Sequence, residues 1–216
     1  MNPSSLPRPI PIWLKIAFTV FMAVFLPVYW HHYGPTNFLY FCDVALILTL
    51  AGIWTESAFI ISMCCVGILL PQALWCVDYL IVLTGGKLTG MTNYMAGDSP
   101  LFLRGLSLFH GWLPFLLLYL VKRTGYDRRA LVVWTALAWT LCLISYFFLP
   151  GPYAAPPGDL TPKNVNFVFG LNEEVAQTWM PPAAFLITWM AVLAIVIYVP
   201  THLLLRRFVP AAKPIS

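Results

Sequence analysis

The sequence predicts an all-α polytopic membrane protein, a bundle of six transmembrane helices. Three observations predict it. First, 60% of the 216 residues are hydrophobic and only 9% are charged, where an ordinary soluble domain carries about 25%. Mean hydropathy is +0.80, so lipid must be the solvent for most of the surface. Second, the apolar residues fall into six stretches divided by breakers. Third, the basic residues gather at alternate ends of those stretches.

The spans are expected at 10–31, 36–54, 57–83, 101–121, 130–149 and 179–204, all within one integral membrane domain covering 1–216. The first is too long for a signal peptide and ends in "PVYWHHYGP" rather than a small-residue cleavage site, so it reads as a retained helix. Gly34-Pro35 divides it from the second, which is the shortest. Thr55-Glu56-Ser57 then turns the chain into the third, which runs to Gly85-Gly86. The fourth follows Pro100 and stops at the charged run Lys122 to Arg129. The fifth ends at Leu149, ahead of a Pro-rich stretch. The sixth ends at Arg206-Arg207. Pro27, Pro71, Pro114 and Pro200 lie inside spans, where each removes a helix hydrogen bond and leaves a carbonyl for neighbouring helices to cover. No internal repeat or heptad pattern is present.

With the N-terminus cytoplasmic, Arg8, Lys15, Lys122, Arg123, Arg128, Arg129, Arg206, Arg207 and Lys213 fall inside, and only Lys87, Arg104 and Lys163 fall outside. The positive-inside rule therefore predicts cytoplasmic termini, and the expected location is a bacterial inner membrane. A net charge of +4 from such scattered residues does not make a nucleic-acid face. Membrane lipids are the expected partners, with a larger membrane complex as a further one. No cofactor is expected. The cysteines Cys42, Cys64, Cys65, Cys76 and Cys142 all lie in apolar stretches without CxxC spacing, which excludes a disulfide framework or zinc ribbon.

Ionisable groups in a span are costly and are the first candidates for function. At about 1.5 Å per helical residue, Cys42 and Asp43 lie roughly 10 Å below the outer surface, Asp78 roughly 8 Å, Arg104 roughly 5 Å and His110 roughly 13 Å. All fall in one outer-leaflet layer, with Gln72 and Ser107 as polar company. Each also has a plain alternative. Cys42 shares a small-residue stripe with Ala45, Thr49 and Gly52 that suits helix packing. Asp43 can pair with Arg104 as a strut, Asp78 can be hydrated, and Arg104 can hold a lipid phosphate. His110 has Ser107 three residues before it and Pro114 four after, and histidine moves protons near neutral pH. His31 and His32 point about 100° apart on a helix, an awkward geometry for joint metal ligation; no metal site is expected. The outer segment "PKNVNFVFGLNEEVAQTWMPP" reads as an amphipathic helix or binding element, with Asn164 and Asn166 as hydrogen-bonding groups.

Four segments carry a family resemblance. They are "FCDVALILTLAGIWTES", "GILLPQALWCVDYL", "FHGWLPFLLLYL" and "NVNFVFG". In their order and spacing the chain resembles the YwaF-like family of six-span membrane proteins. That family includes eukaryotic transmembrane lipid acyltransferases and is distantly related to androgen-induced-gene type membrane hydrolases. The chain departs from the family pattern in its last outer loop, which lacks a Gly-Thr-Asn-Tyr run, and before the sixth span, where "TWMPPAAF" replaces a Trp-Pro-Trp-Tyr run. The resemblance implies Cys42 as an acyl-accepting nucleophile and His110 as its general base. A thiol in apolar surroundings stays inert until a base takes its proton. Asp43 or Asp78 would orient the imidazole. Arg104, Gln72 or Asn166 would bind a phosphate or the developing oxyanion. The expected function is acyl transfer or ester hydrolysis on a lipid. The alternatives are a non-catalytic subunit holding a lipid or pigment, and a metal-dependent membrane protein.

Overall fold

The structure, a computed structural model, describes residues 9–86, 88–89, 91–96, 100–152, 162–172 and 175–212. Arg8, Lys87 and Lys213 of the charge pattern lie outside them. Eight helices follow in order: α1 (Ile12–Tyr33), α2 (Phe41–Thr55), α3 (Ala58–Leu83), α4 (Leu101–Ser107), α5 (Phe109–Thr124), α6 (Ala130–Phe148), α7 (Pro182–Val192) and α8 (Val199–Phe208). Among the described residues there is no strand, only one isolated bridge between Tyr126 and Ala211.

Five stretches are long and apolar enough to cross a membrane: Ile12–Tyr33, Ala58–Leu83, Leu101–Thr124, Ala130–Phe148 and Pro182–Phe208. The apolar helix α2 is shorter, at 15 residues, or about 22 Å at the usual helical rise. A 3₁₀ turn over Pro35–Leu39 extends it at its N-terminal end. Two of the long stretches are interrupted. The fourth breaks at Leu108, between α4 and α5. The last passes through a π-helical segment, Leu193–Tyr198, just before Pro200. Pro200 has no N–H for the carbonyl four residues back, and widening the preceding turn is a common response to such a loss.

Helix α3 is the centre of the bundle. It packs against α2, α5, α6 and the final span. Every residue from Ile61 to Ile68 is buried, the pattern of a helix apolar on all sides. Close approach is part of that packing: a Cβ added at Gly67 would overlap the indole of Trp134 on α6, and Trp134 is fully buried. The peripheral helices turn Trp13, Ile16, Val20, Val132, Phe147, Phe148, Ile187 and Ile195 outward. Those side chains match a hydrocarbon solvent, and the molecule is an integral membrane protein by this apolar periphery and its span lengths.

The end of the bundle that carries most of the basic residues is closed by specific ties. Lys15 meets Glu56 at 2.7 Å, and the Ile10 N–H donates to the same carboxylate. Tyr126 N–H donates to the Pro210 carbonyl and Ala212 N–H to the Tyr126 carbonyl. The Tyr126 hydroxyl pairs with His202 Nδ1 at 2.7 Å. Burial pushes the Tyr126 hydroxyl above its ordinary pKa. Gly125 permits this clasp: its φ is +89°, and a Cβ there would press on the Ala212 backbone. Asp127 accepts from Arg129, whose hydrogen bonds hold the carboxyl below the usual carboxylate range.

Candidate functional site: a polar layer at the opposite end

Far from the basic end, five segments bring polar side chains into one layer. The local break at Leu108 positions two of them. Leu108 N–H bonds the Gly105 carbonyl and Gly111 N–H bonds the Leu108 carbonyl, a three-residue spacing tighter than an α-helix. That tightening brings the His110 ring back over the preceding turn. His110 Nδ1 lies 2.8 Å from the Ser107 carbonyl. A carbonyl only accepts, so Nδ1 carries the proton and, in the neutral ring, Nε2 carries the lone pair. The ring stacks on Trp75 of α3, with centroids 4.8 Å apart and planes 16° apart, and leans on Phe109.

Pro114 completes the arrangement. It cannot donate to the carbonyl four residues back, which is that of His110. The Cys76 thiol, on α3, donates to that carbonyl instead at 3.8 Å. His110 is therefore held by its ring and by its backbone. Among the described residues its polar contacts are with Ser107 and Cys76. Among the described residues no carboxylate pairs with it, and its hydrogen bonds and ring contacts are to Ser107, Cys76, Trp75 and Phe109. The ring is oriented by a main-chain carbonyl, a role the sequence assigned to Asp43 or Asp78.

Those two carboxylates serve the walls. Asp78, fully buried, accepts from the Thr89 N–H at 2.6 Å, the Thr89 hydroxyl at 2.8 Å and the Thr92 N–H at 3.0 Å, and from the Thr92 hydroxyl. It thereby fastens the connection after α3 across the end of that helix. Asp43, 2% exposed, accepts from Asn37 Nδ2 at 2.6 Å and anchors the first turn of α2 to the 3₁₀ turn before it. Arg104 does not pair with Asp43. Its Nη1 donates to the Met95 carbonyl at 3.1 Å, and among the described residues its Nε has no hydrogen-bond partner. Cys42 is half-buried in the first turn of α2 and packs against the apolar core.

Ser107 Oγ shares a 2.6 Å hydrogen bond with the hydroxyl of Tyr29, on α1. Asp43, Tyr33 and Tyr94 lie within electrostatic reach of that hydroxyl. The α1, α2 and α4 contributions are thus one cluster. Gln72 is 2% exposed, and neither its Nε2 nor its Oε1 has a hydrogen-bond partner among the described residues. It sits one turn deeper than Trp75 and Cys76 on the same face of α3.

Asn166 is a junction. The sequence reads its surroundings as an amphipathic helix; the described residues instead form a short 3₁₀ turn, Val165–Phe167, with Asn164 and Asn166 in left-handed backbone. Asn166 Oδ1 accepts from the Phe41 N–H at 3.0 Å, its Nδ2 donates to the Leu39 carbonyl at 2.9 Å, and Trp189 Nε1 donates to its carbonyl at 2.9 Å. Asn164 likewise bonds Phe169, Gly170 and Asn172. Side-chain amides that satisfy nearby backbone groups favour turns over helix.

His31 and His32 are exposed at the end of α1, with ring centroids 5.2 Å apart. Among the described residues no three His, Cys, Asp or Glu side chains form a metal-binding group. Sequence reasoning missed Tyr29, Asn37, Trp75 and Cys76. Only Cys76 left a trace: counting four back from Pro114 and looking for a donor on a neighbouring span would have raised it. No protein-family model, curated protein or solved structure matches the chain.

Proposed function

We propose that the protein is a lipid-modifying membrane enzyme, transferring or hydrolysing an acyl ester, with His110 as the proton acceptor. The observation that carries this reading is the His110 ring itself: fixed through Nδ1, stacked on Trp75, and left with Nε2 as its basic atom. A fixed tautomer aimed by a main-chain carbonyl is what a general base needs. Cys42 is the nucleophile in this reading. Its sulfur attacks the ester carbonyl while its proton passes to Nε2, through a bridging water or the bound lipid. The tetrahedral adduct expels the alcohol, which takes that proton, and a thioester remains. Water or a second lipid hydroxyl then attacks the thioester, releasing a fatty acid or a new ester and returning the thiol. Arg104, with Nε unpartnered, and the Gln72 amide are the groups able to meet a phosphate or an oxyanion.

The resemblance of its motif order to that of the YwaF-like family supports the same reading. Nine of twelve basic residues on one side support a bacterial inner membrane with both termini cytoplasmic, and substrate then enters from the outer leaflet. Membrane lipids are the partners; nucleic acid is not. In the test, lipid turnover by the purified protein is measured for Cys42→Ala and His110→Gln. Loss of turnover in both, with melting temperatures unchanged, is the expected result; full activity in Cys42→Ala would remove the covalent route.

A second reading is favoured by one observation: Asp43, Asp78 and Asn166 all bond backbone or side chains of the wall. A non-catalytic subunit of a larger membrane complex, holding a lipid or pigment, needs only such walls. Labelling by a fluorophosphonate or thiol probe that disappears in His110→Gln favours the enzyme. Co-purification with a partner and no labelling favours the subunit.

A further inference from the structure

The Gln72 amide is the most unusual polar group in the bundle. It lies about 16 Å from the end of α3, at roughly 1.5 Å per residue, deep in the apolar interior. It is 2% exposed, and among the described residues both its polar atoms lack a hydrogen-bond partner. Native proteins rarely leave a buried amide in this state, because each unmet group costs free energy. One turn up the same face, Trp75 is 5% exposed and its Nε1–H is likewise unmet among the described residues. Trp75 stacks on His110, whose Nε2 is a third group with hydrogen-bonding capacity to spare.

We propose that Gln72, Trp75 and His110 form the headgroup site for a long-chain carboxylic acid in its un-ionised form. The chemistry selects that class. A carboxamide offers one donor edge and one acceptor edge side by side. An un-ionised carboxyl offers the complement: its O–H donates to Gln72 Oε1 and its carbonyl accepts from Gln72 Nε2. Trp75 Nε1–H adds a second donor for the acid's carbonyl at the rim, and the His110 ring, stacked on Trp75, holds that indole in place. An ester has the acceptor but no donor, so it meets half of the amide at most. An ionised carboxylate also lacks the donor and is costly at this depth. The alkyl chain lies among the surrounding apolar side chains. This inference rests on reading the layer as a lipid headgroup site, but it concerns binding alone, so a failed turnover assay leaves it standing and its own failure leaves the catalytic test untouched.

The experiment uses the full chain in maltoside micelles and radiolabelled oleic acid as the probe, with methyl oleate as competitor. Saturable binding of oleic acid is expected, with methyl oleate at least about tenfold weaker, as befits loss of one well-placed hydrogen bond to a buried group. Gln72→Met keeps the length and apolar fit while removing both polar atoms, and should weaken oleic acid about tenfold or more. Trp75→Phe keeps the stack, removes the N–H and should weaken it less. Equal affinity for acid and ester, retention of affinity within twofold in a folded Gln72→Met, or absence of saturable binding would each overturn the proposal; the last outcome would mark the amide as a water site. The acid-against-ester comparison on the unaltered chain decides the matter even if Gln72→Met does not fold.

Discussion

Replacing Asn166 by alanine separates a wall residue from a ligand-binding one. The side chain takes the Phe41 N–H at 3.0 Å and gives to the Leu39 carbonyl at 2.9 Å, with a longer contact to Ser145 Oγ at 3.4 Å. The Phe41 N–H belongs to the first turn of α2, where no intrahelical acceptor exists. Alanine leaves that donor and the Leu39 carbonyl without these partners in a half-buried setting. A hydrogen bond contributes roughly 0.5–1.5 kcal/mol net, and an orphaned buried group costs roughly 1–3 kcal/mol. Two good bonds therefore set a loss of about 2–4 kcal/mol. Backbone conformation adds a second, separable part: Asn166 has φ +60°, a left-handed region that alanine tolerates worse than asparagine by about 1 kcal/mol. Asn166→Gly removes the same bonds without that strain and should be about 1 kcal/mol less destabilised than Asn166→Ala. The assay is reversible unfolding of the purified protein in mixed SDS–maltoside micelles. Asn166→Ala within 0.5 kcal/mol of the parent, with lipid turnover lost, would refute the reasoning and return Asn166 to the substrate.

Two further outcomes follow from the packing and from charge. Gly67→Ala forces a methyl group into the Trp134 indole, which is fully buried and set edge-on to Tyr198; overpacking of this kind costs about 1–3 kcal/mol, and Trp134→Phe in the double variant should recover part of it, as a double-mutant cycle would read. Asp127 is held below the ordinary carboxylate range by its hydrogen bonds from Arg129. Its folded pKa lies under its unfolded one, so its contribution is present above about pH 4, the unfolded value, and is lost as pH falls through the folded one. A melting-temperature series from pH 7 downward should show a steeper decline in the parent than in Asp127→Asn, by a small margin because Arg129 is largely exposed.

Much of the fold is legible because hydropathy in a membrane protein is a one-dimensional signal. A run of apolar residues bounded by Gly-Pro or by charges needs no partner to be recognised, so the long helices fall in the expected stretches. Features set by the loss of one hydrogen bond are not legible in that way. The break at Leu108 and the π segment before Pro200 depend on how neighbouring turns share carbonyls, which hydropathy does not encode. The candidate layer divides likewise. Depth arithmetic brings Asp43, Asp78, Arg104 and His110 to one level because helical rise is constant. Partner choice depends on rotation about each helix, so depth alone could not foresee that Asp43 would take Asn37, that Asp78 would take Thr89 and Thr92, or that Tyr29 would reach Ser107 across 78 residues of chain. The amide character of Asn164 and Asn166 was visible, but their left-handed backbone turned an expected helix into a tight loop.

The clasp between Tyr126 and the segment Pro210–Ala212 has a consequence for biogenesis. Its two halves are more than eighty positions apart, and the second half leaves the ribosome only after all of α8. A nascent chain that has emerged only as far as α8 still lacks the closure that pins that helix beside the α5–α6 connection, so the fastener closes only once Pro210–Ala212 has followed. A truncation after Val209 removes both backbone bonds of that fastener. Such a truncation would leave hydrophobicity and insertion intact while exposing the unfastened final helix to membrane proteases, and its half-life in cells, rather than its topology, is where the defect would register.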